Sequence, residues 1–308
     1  MTDKPSLYPG KNTWWGNLNR DVRKKIKTSF VAYGLILPAF IFLCIFTLYP
    51  IVYSFVMSLY RDNLATVSPQ FIGIKNFQML LKDKVFIKSF NNNLLIAVVT
   101  IPISIALAVA MALFANKVRR GKWFTRVAFF YPTLLPMVAV ANIWLFIYTP
   151  GYGLLGQINS SWRLLGNPAT AIWAIIVMLI WKQAGYVMIF YISGLQGINP
   201  ELYEAALIDG ANPVQAFRRI TWPLLKPITI YVTIITLTNA YKLVDHLYIM
   251  TKGGPNNSTN MLLYYTFQNA FEFWDVGKAS AITTVLVVLL LLITTVQFFI
   301  QDKRAFYS

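Results

Sequence analysis

Residues 279–300 read ASAITTVLVVLLLLITTVQFFI, and Gln297 is the one strongly polar side chain among them. A helix of that length covers the roughly 30 Å of bilayer hydrocarbon, so this stretch sets the class of the whole chain. Working outward, Thr28–Tyr60, Ser89–Asn116 and Val127–Trp162 each hold another crossing with room to spare. The rest of the composition agrees. The chain is 57% hydrophobic and 12% charged with mean hydropathy +0.55, too little polar surface to coat a soluble globule of 308 residues. An all-α integral membrane protein with six transmembrane helices fits best, at about 31–57, 91–115, 127–148, 170–195, 228–250 and 278–300.

Two of these crossings carry charge at depth. Leu164 to Pro200 holds a single charge, Lys182, and is too short for two spans and a turn. From Pro227 to Tyr241 the uncharged run is short of a full crossing, so the fifth span is expected to continue through Lys242 and Asp245.

Lysine and arginine counts orient the chain. With both termini inside, the inner segments 1–29, 116–126, 196–227 and 301–308 hold 17 of these residues, and the outer segments 60–89, 149–170 and 251–278 hold 8. The expected layout is a basic cytoplasmic segment 1–29, a six-span domain 30–300 and a cytoplasmic tail 301–308. Segment 60–89 and loop 251–277 then lie outside, and loop 196–227 lies inside. The net charge of +16 follows from basic inner loops facing anionic lipid, and no interleaved basic–aromatic pattern points to nucleic acid. Residues 1–29 lack the apolar core of a cleavable signal, so the first span is read as the insertion signal.

The inner loop is patterned. Asn199 can cap and Pro200 can start one helix, which Gly210 can end. Asn212-Pro213 starts a second, whose length Pro223 and Pro227 are expected to limit. A helix–turn–helix hung between two spans is built to dock outside the bilayer. Ala205 and Ala206 permit close approach to a partner groove, and Leu202 and Ile208 supply apolar contact. Gly210 permits a positive-φ bend, Glu204 can meet a basic partner, and Arg218 and Arg219 give the second helix a cationic face.

Catalytic groups are scarce. The sequence has one histidine, His246, and one cysteine, Cys44, with no metal-ligand spacing and no nucleophile elbow. Neither Gly121-Lys122 nor Gly277-Lys278 completes a phosphate loop, because Asn116 and Glu272 stand where its first glycine belongs.

Three motifs in order resemble the maltose-type, carbohydrate-class permease subunits of bacterial ABC importers, over roughly residues 30–300. The segment Glu204-Ala205-Ala206, Gly210, Ile220, Pro223 is similar to their "EAA" coupling loop, departing at Trp222, where leucine is usual. Thr251-Lys252-Gly253-Gly254-Pro255 is similar to the turn after the fifth conserved span, and Phe71-Ile72-Gly73-Ile74 with Asn76-Phe77 to the segment after the first. The resemblance implies the type I importer permease fold, both termini inside, in the bacterial inner membrane. It implies a second, related permease, two cytoplasmic ATPase subunits and an extracytoplasmic solute-binding protein. No cofactor is then bound by this chain, ATP and Mg belonging to the ATPase subunits. The coupling residues become Glu204, Ala205, Ala206, Gly210, Arg218, Ile220 and Pro223.

For the solute path, intramembrane charges are costly and should face the bundle interior or water. Lys242 and Asp245 are three apart on one helical face and could pair. Gln183, Asn239 and Tyr241 add hydrogen-bonding and stacking groups, so Lys182, Gln183, Asn239, Tyr241, Lys242 and Asp245 form the candidate path, with His246 at the outer end of its span. The expected solute is an oligosaccharide or glycoside, with glycerol-3-phosphate or a polyol derivative second. A secondary transporter or channel is the alternative from another class, which would show internal repeats or unwound helices and leaves Glu204–Pro223 unexplained.

Overall fold

The structure is a computed structural model describing residues 14–302 except Ala65, Val67, Arg119 and Leu243. Residues 1–13 and 303–308, parts of the two expected cytoplasmic ends, lie outside the described residues. The chain divides into two compact units at Val56–Met57.

The described residues of the first unit form one long helix. Helix α1 (Trp14–Leu43) passes through a π-helical turn, Cys44–Leu48, into α2 (Tyr49–Met57). The wide turn has a local cause. Pro50 cannot donate to the carbonyl four residues back, and the residue before it, Tyr49, donates to Cys44 O five residues back. Large apolar side chains such as Phe30 and Leu35 are exposed along it, as contact with hydrocarbon requires.

In the second unit a two-residue hairpin, β1 (Tyr60–Arg61) against β2 (Gln70–Phe71), pairs Tyr60 with Phe71. Asn76, at the start of α3 (Lys75–Leu80), donates to the carbonyls of Ser58 and Tyr60 and ties the hairpin down. The spans follow: α4 (Lys84–Lys117), the pair α5 (Lys122–Leu134) and α6 (Met137–Tyr148), and, after the short α7 (Leu154–Ile158), α8 (Ala171–Gln196). The inner-loop helices are α9 (Glu201–Ile208) and α10 (Pro213–Ala216), leading to α11 (Trp222–Tyr241). Then come α12 (Asp245–Met250), α13 (Leu262–Phe267) and α14 (Val276–Asp302).

Helices α4 and α8 form the central pair, with α5 and α11 packed beside them. Small residues bring the backbones together, since lipid tails supply no hydrophobic drive between helices. Ala108, Ala112 and Ala115 of α4 are fully or almost fully buried against Val187, Met188 and Tyr191 of α8 and Leu225 of α11. A side chain at Gly185 would collide with the Phe129 carbonyl of α5, and one at Gly194 with Ile228 of α11. A second cluster gathers Ile96, Val140, Ile175, Met178, Leu247 and Tyr264.

Five helices are long and apolar enough to cross a membrane, or six with α5 and α6 counted as one broken span. The third crossing, expected at about 127–148, is made of two helices: α5 and α6 meet at a bend of 95°. Pro136 cannot continue a helix and biases Leu135 to the extended ψ of 135° it adopts. The expected helix of the fifth crossing does not run unbroken through Lys242 and Asp245. Helix α11 ends at Tyr241, and Asp245 opens α12, where the helix dipole favours an acid. Finally, the second loop helix is not cut short by Pro223 and Pro227. Residues Pro213–Tyr241 run as one helical body through a π turn, Phe217–Thr221, in which Trp222 donates to Phe217 O immediately before Pro223. The device that accommodates Pro50 recurs here.

Candidate functional site

Each end of α9 is fixed by its own residues. Asn199 Oδ1 accepts from the Glu201 N–H at 3.1 Å. At the other end Gly210 has φ +77°, its N–H donates to Leu207 O, and Ala211 N–H donates to Ala206 O. That pair of bonds is a Schellman motif, and the left-handed residue in it is the glycine the sequence supplies. Two residues on, Asn212 and Gln215 exchange side chain-to-backbone bonds of 2.9 Å in a capping box, with Pro213 in the first helical position. Tyr203 Oη lies 2.9 Å from Thr221 Oγ1, so α9 is bonded across the bend to the π turn. Tyr203, Phe217, Ile220 and Trp222 pack on the cluster holding Tyr191 and Leu225, where tryptophan fills the usual leucine position.

The other side of the loop is uncovered. Ile208 is 86% exposed, and Leu202, Leu207 and Val214 are exposed too. Glu204, Ala205, Arg218 and Arg219 are exposed, Ala206 and Pro223 half-buried. Among the described residues Glu204, Arg218 and Arg219 make no ion pair. Arg218 also lines an apolar groove with Ile101, Pro102 and Ile105 of α4.

A cavity of about 280 Å³ opens where the broken span meets α8 and α11, lined by Thr133, Met137, Leu179, Lys182, Gln183, Tyr186, Asn239 and Lys242. Lys182 is held in place by the break. Its Nζ donates to Leu135 O at 2.7 Å and to Pro132 O at 3.4 Å, while Thr133 Oγ1 donates to the Lys182 carbonyl at 3.3 Å. The ammonium thus meets carbonyls that the end of α5 leaves unpaired, where the helix dipole is negative. Lys182, Gln183, Asn239 and Lys242 come together in this cavity, and Tyr241 and Asp245 do not join them. Tyr241 is 4% exposed and packs against Ala97 and Ile101. Asp245 is exposed on α12, and among the described residues it makes no ion pair with Lys242, which corrects the expected pairing. His246 is fully buried. Tyr186 and Thr133 were not anticipated. Tyr186 was within reach, since it stands four residues after Lys182 on one helical face; Thr133 enters only because the third span bends.

A third assembly braces the end of the unit formed by the start of α4 and residues 251–278. Asp83 caps α4, its Oδ1 accepting from the N–H groups of Val85 and Phe86 at 2.8 and 3.3 Å. Its Oδ2 accepts from Tyr265 Oη at 2.7 Å and pairs with Lys278 Nζ at 2.7 Å, and Lys278 also donates to Tyr265 Oη. Burial raises the Asp83 pKa, but the bonds from Lys278 and Tyr265 outweigh it and hold the carboxyl below its usual value. The Thr251–Pro255 turn is laced alongside: Thr259 Oγ1 donates to Gly254 O and meets Thr251 Oγ1, each at 2.8 Å. Asn92 donates to the carbonyls of Asn257 and Asn260, and Asn93 accepts from the Leu262 N–H.

A bent span alone would equally suit a secondary transporter. Comparison with known proteins separates the two. Residues 101–306 match the family described as "Binding-protein-dependent transport system inner membrane component". The chain belongs to this family. It is accordingly a multi-pass inner-membrane transport component with several apolar helices. Among individual members, it is 34% identical over 280 residues to the probable ABC transporter permease protein YurN of Bacillus subtilis, covering 88% of this chain and 96% of that one. It is 31% identical to the trehalose/maltose transport system permease protein MalF of Thermococcus litoralis (86% and 91% covered). It is 30% identical to the sn-glycerol-3-phosphate permease protein UgpA of Agrobacterium fabrum (89% and 96%). The fold resembles that of a chain from a bacterial ABC transporter importing the acidic polysaccharide alginate, with TM-score 0.80, 22% identity and 92% and 99% of the two chains covered. Family members are transport permeases, and ABC importer permeases of type I share this architecture.

Proposed function

We propose that this chain is the membrane-spanning permease of an ATP-driven importer for a sugar or similar polyhydroxylated solute. An ATPase subunit docks on the α9–α10 loop, and hydrolysis takes place there rather than on this chain. The termini and the loop face the cytoplasm, in line with the lysine and arginine bias. A second, related permease completes the pathway, and a solute-binding protein loads it from outside. The observation that carries this reading is mechanical. The exposed loop and the cavity are joined by one continuous helix, Pro213–Tyr241, whose far end holds Asn239 at the cavity. An ATPase pushing on α9 acts through the Schellman bend and the Tyr203–Thr221 bond directly on that lever. Glu204, Ala205 and Ala206 form the docking face, with Leu202 and Ile208 as apolar contacts. Lys182, Gln183, Asn239 and Lys242 line the solute path, with Tyr186 as a stacking surface.

A carbohydrate solute is supported by relatives named for transport of trehalose/maltose, sn-glycerol-3-phosphate and sulfoquinovosyl glycerol. The test is reconstitution with the ATPase, partner permease and binding protein in proteoliposomes, measuring ATP-driven uptake of labelled maltose, trehalose, glycerol 3-phosphate and alginate oligosaccharide. Uptake of one of them, lost in Glu204→Lys without loss of assembly, is expected. Uptake that persists without the ATPase would overturn the reading.

A further inference from the structure

The cavity beside the broken span contains two cations and no acid. Lys182 and Lys242 line it, and none of its lining residues is Asp or Glu. Asp245, three residues beyond Lys242, opens the next helix and pairs with neither lysine. The two lysines differ in how their charge is met. Lys182 gives two of its donors to the Leu135 and Pro132 carbonyls, leaving one free to turn into the cavity. Lys242, exposed at the break after Tyr241, has no side-chain partner among the described residues. Lys182 stands inside α8, and lysines carried into a span without a counter-charge mark ligand pathways. Around the lysines stand groups that suit hydroxyls: the Gln183 and Asn239 amides, the Thr133 hydroxyl and the Tyr186 ring.

Building on the solute-path reading above, we propose that the carried solute is an anionic sugar or polyol derivative, bearing one carboxylate, phosphate or sulfonate, and that Lys242 receives the acidic group. The polar neutral groups bind the hydroxyls, and Lys182 holds the bend in shape while adding a second donor. A counter-charge that travels with the solute needs no fixed carboxylate beside Lys242, and none lines the cavity. A fixed carboxylate would neutralise that lysine permanently.

The experiment uses the full chain assembled with its partner permease and ATPase in lipid nanodiscs, and two probes of equal size and linkage: cellobiose, and the disaccharide whose non-reducing unit is glucuronate. Binding is measured calorimetrically at low and high salt. The acidic probe is expected to bind about tenfold more tightly or better, because a charge-assisted hydrogen bond is stronger than a neutral one. The gap should shrink with salt. Lys242→Gln should remove the gap between the two probes and Lys242→Arg should keep it. Equal affinity for the two probes, with both weakened by Asn239→Ala, would overturn the acidic class and leave the carbohydrate path standing. Binding of neither probe would overturn the path reading and this proposal together. A third outcome also overturns it: Lys242→Gln abolishing co-purification with the partner permease would assign the counter-charge to a carboxylate of that subunit.

Discussion

Gly210 is where the coupling mechanism can be tested with a graded perturbation. Its φ of +77° lies in the left-handed region, and no atom lies within 4 Å of where a Cβ would be, so Gly210→Ala meets a conformational cost and no steric one. For an L-residue that cost is about 1–2 kcal/mol. Holding the bend against it are the two Schellman hydrogen bonds, at about 0.5–1.5 kcal/mol each, and the Asn212–Gln215 capping box, at about 1 kcal/mol. These total roughly 2–4 kcal/mol, so Gly210→Ala should keep the bend most of the time and retain most uptake. Gly210→Pro differs in kind. It fixes φ near −65° and deletes the N–H that bonds Leu207 O. It also disfavours Asp209, whose φ and ψ are −72° and 2°, because a residue before proline is pushed toward extended geometry. The combined loss, at least about 3 kcal/mol, matches everything that holds the bend. ATP-driven uptake by the reconstituted importer, with co-purification of the ATPase as the docking readout, should therefore fall slightly for Gly210→Ala and almost completely for Gly210→Pro. Wild-type uptake by Gly210→Pro, or equal losses in the two variants, would refute the lever.

Three further outcomes are expected. In a Cys44→Ala background, a cysteine at Asn212 should resist an impermeant thiol reagent in intact cells and one at Asn257 should react, because the charge bias puts loop 196–227 inside; the opposite pattern would invert the topology. Asp83→Asn should lower the melting temperature of the detergent-solubilised protein at neutral pH. Since the folded Asp83 carboxyl lies below its unfolded value, the wild type should lose that advantage as pH falls below about 4, and the two melting curves should converge there. Lys182→Met should lower yield and thermal stability by about 1–3 kcal/mol by stranding the Leu135 and Pro132 carbonyls, whereas Asp245→Asn should leave both unchanged; the reverse ranking in thermal melts would contradict the assignment of Lys182 to the bend.

What the sequence disclosed and what it hid divide along the range of the interactions involved. Both ends of α9 and the start of α10 are legible because Asn199, Gly210, Asn212 and Pro213 act on their own backbones within a few residues. The spans at α4, α8 and α14 were legible because hydropathy over about 20 residues is a local sum. The fate of the prolines was not. Pro223 and Pro227 were read as stops, yet a single π turn lets the helix continue, and whether a helix breaks or widens is decided by what packs on it: here Tyr191 and Leu225 against Phe217, Ile220 and Trp222. The same holds for Lys242 and Asp245, whose spacing fitted one helical face until the helix ended between them.

That failure matters for function, because the misread positions are the ones that join the two halves of the mechanism. Had α10 stopped at Pro223 as a separate helix, force on the docking loop would have to cross a flexible joint before reaching the membrane. The π turn instead makes Pro213–Tyr241 one body, and where it does end, at Lys242, it ends at the cavity. On the facing side the bend between α5 and α6 is fastened to α8 by Lys182, so the cavity is bounded by two interruptions of helix, one clipped and one free. Movement of the α11 lever would displace Asn239 and Lys242 relative to the clipped wall formed by Thr133, Lys182 and Gln183. A solute gripped between the two walls would lose its contacts on one side first, which is how an ATPase some distance away can change affinity in the cavity without touching it.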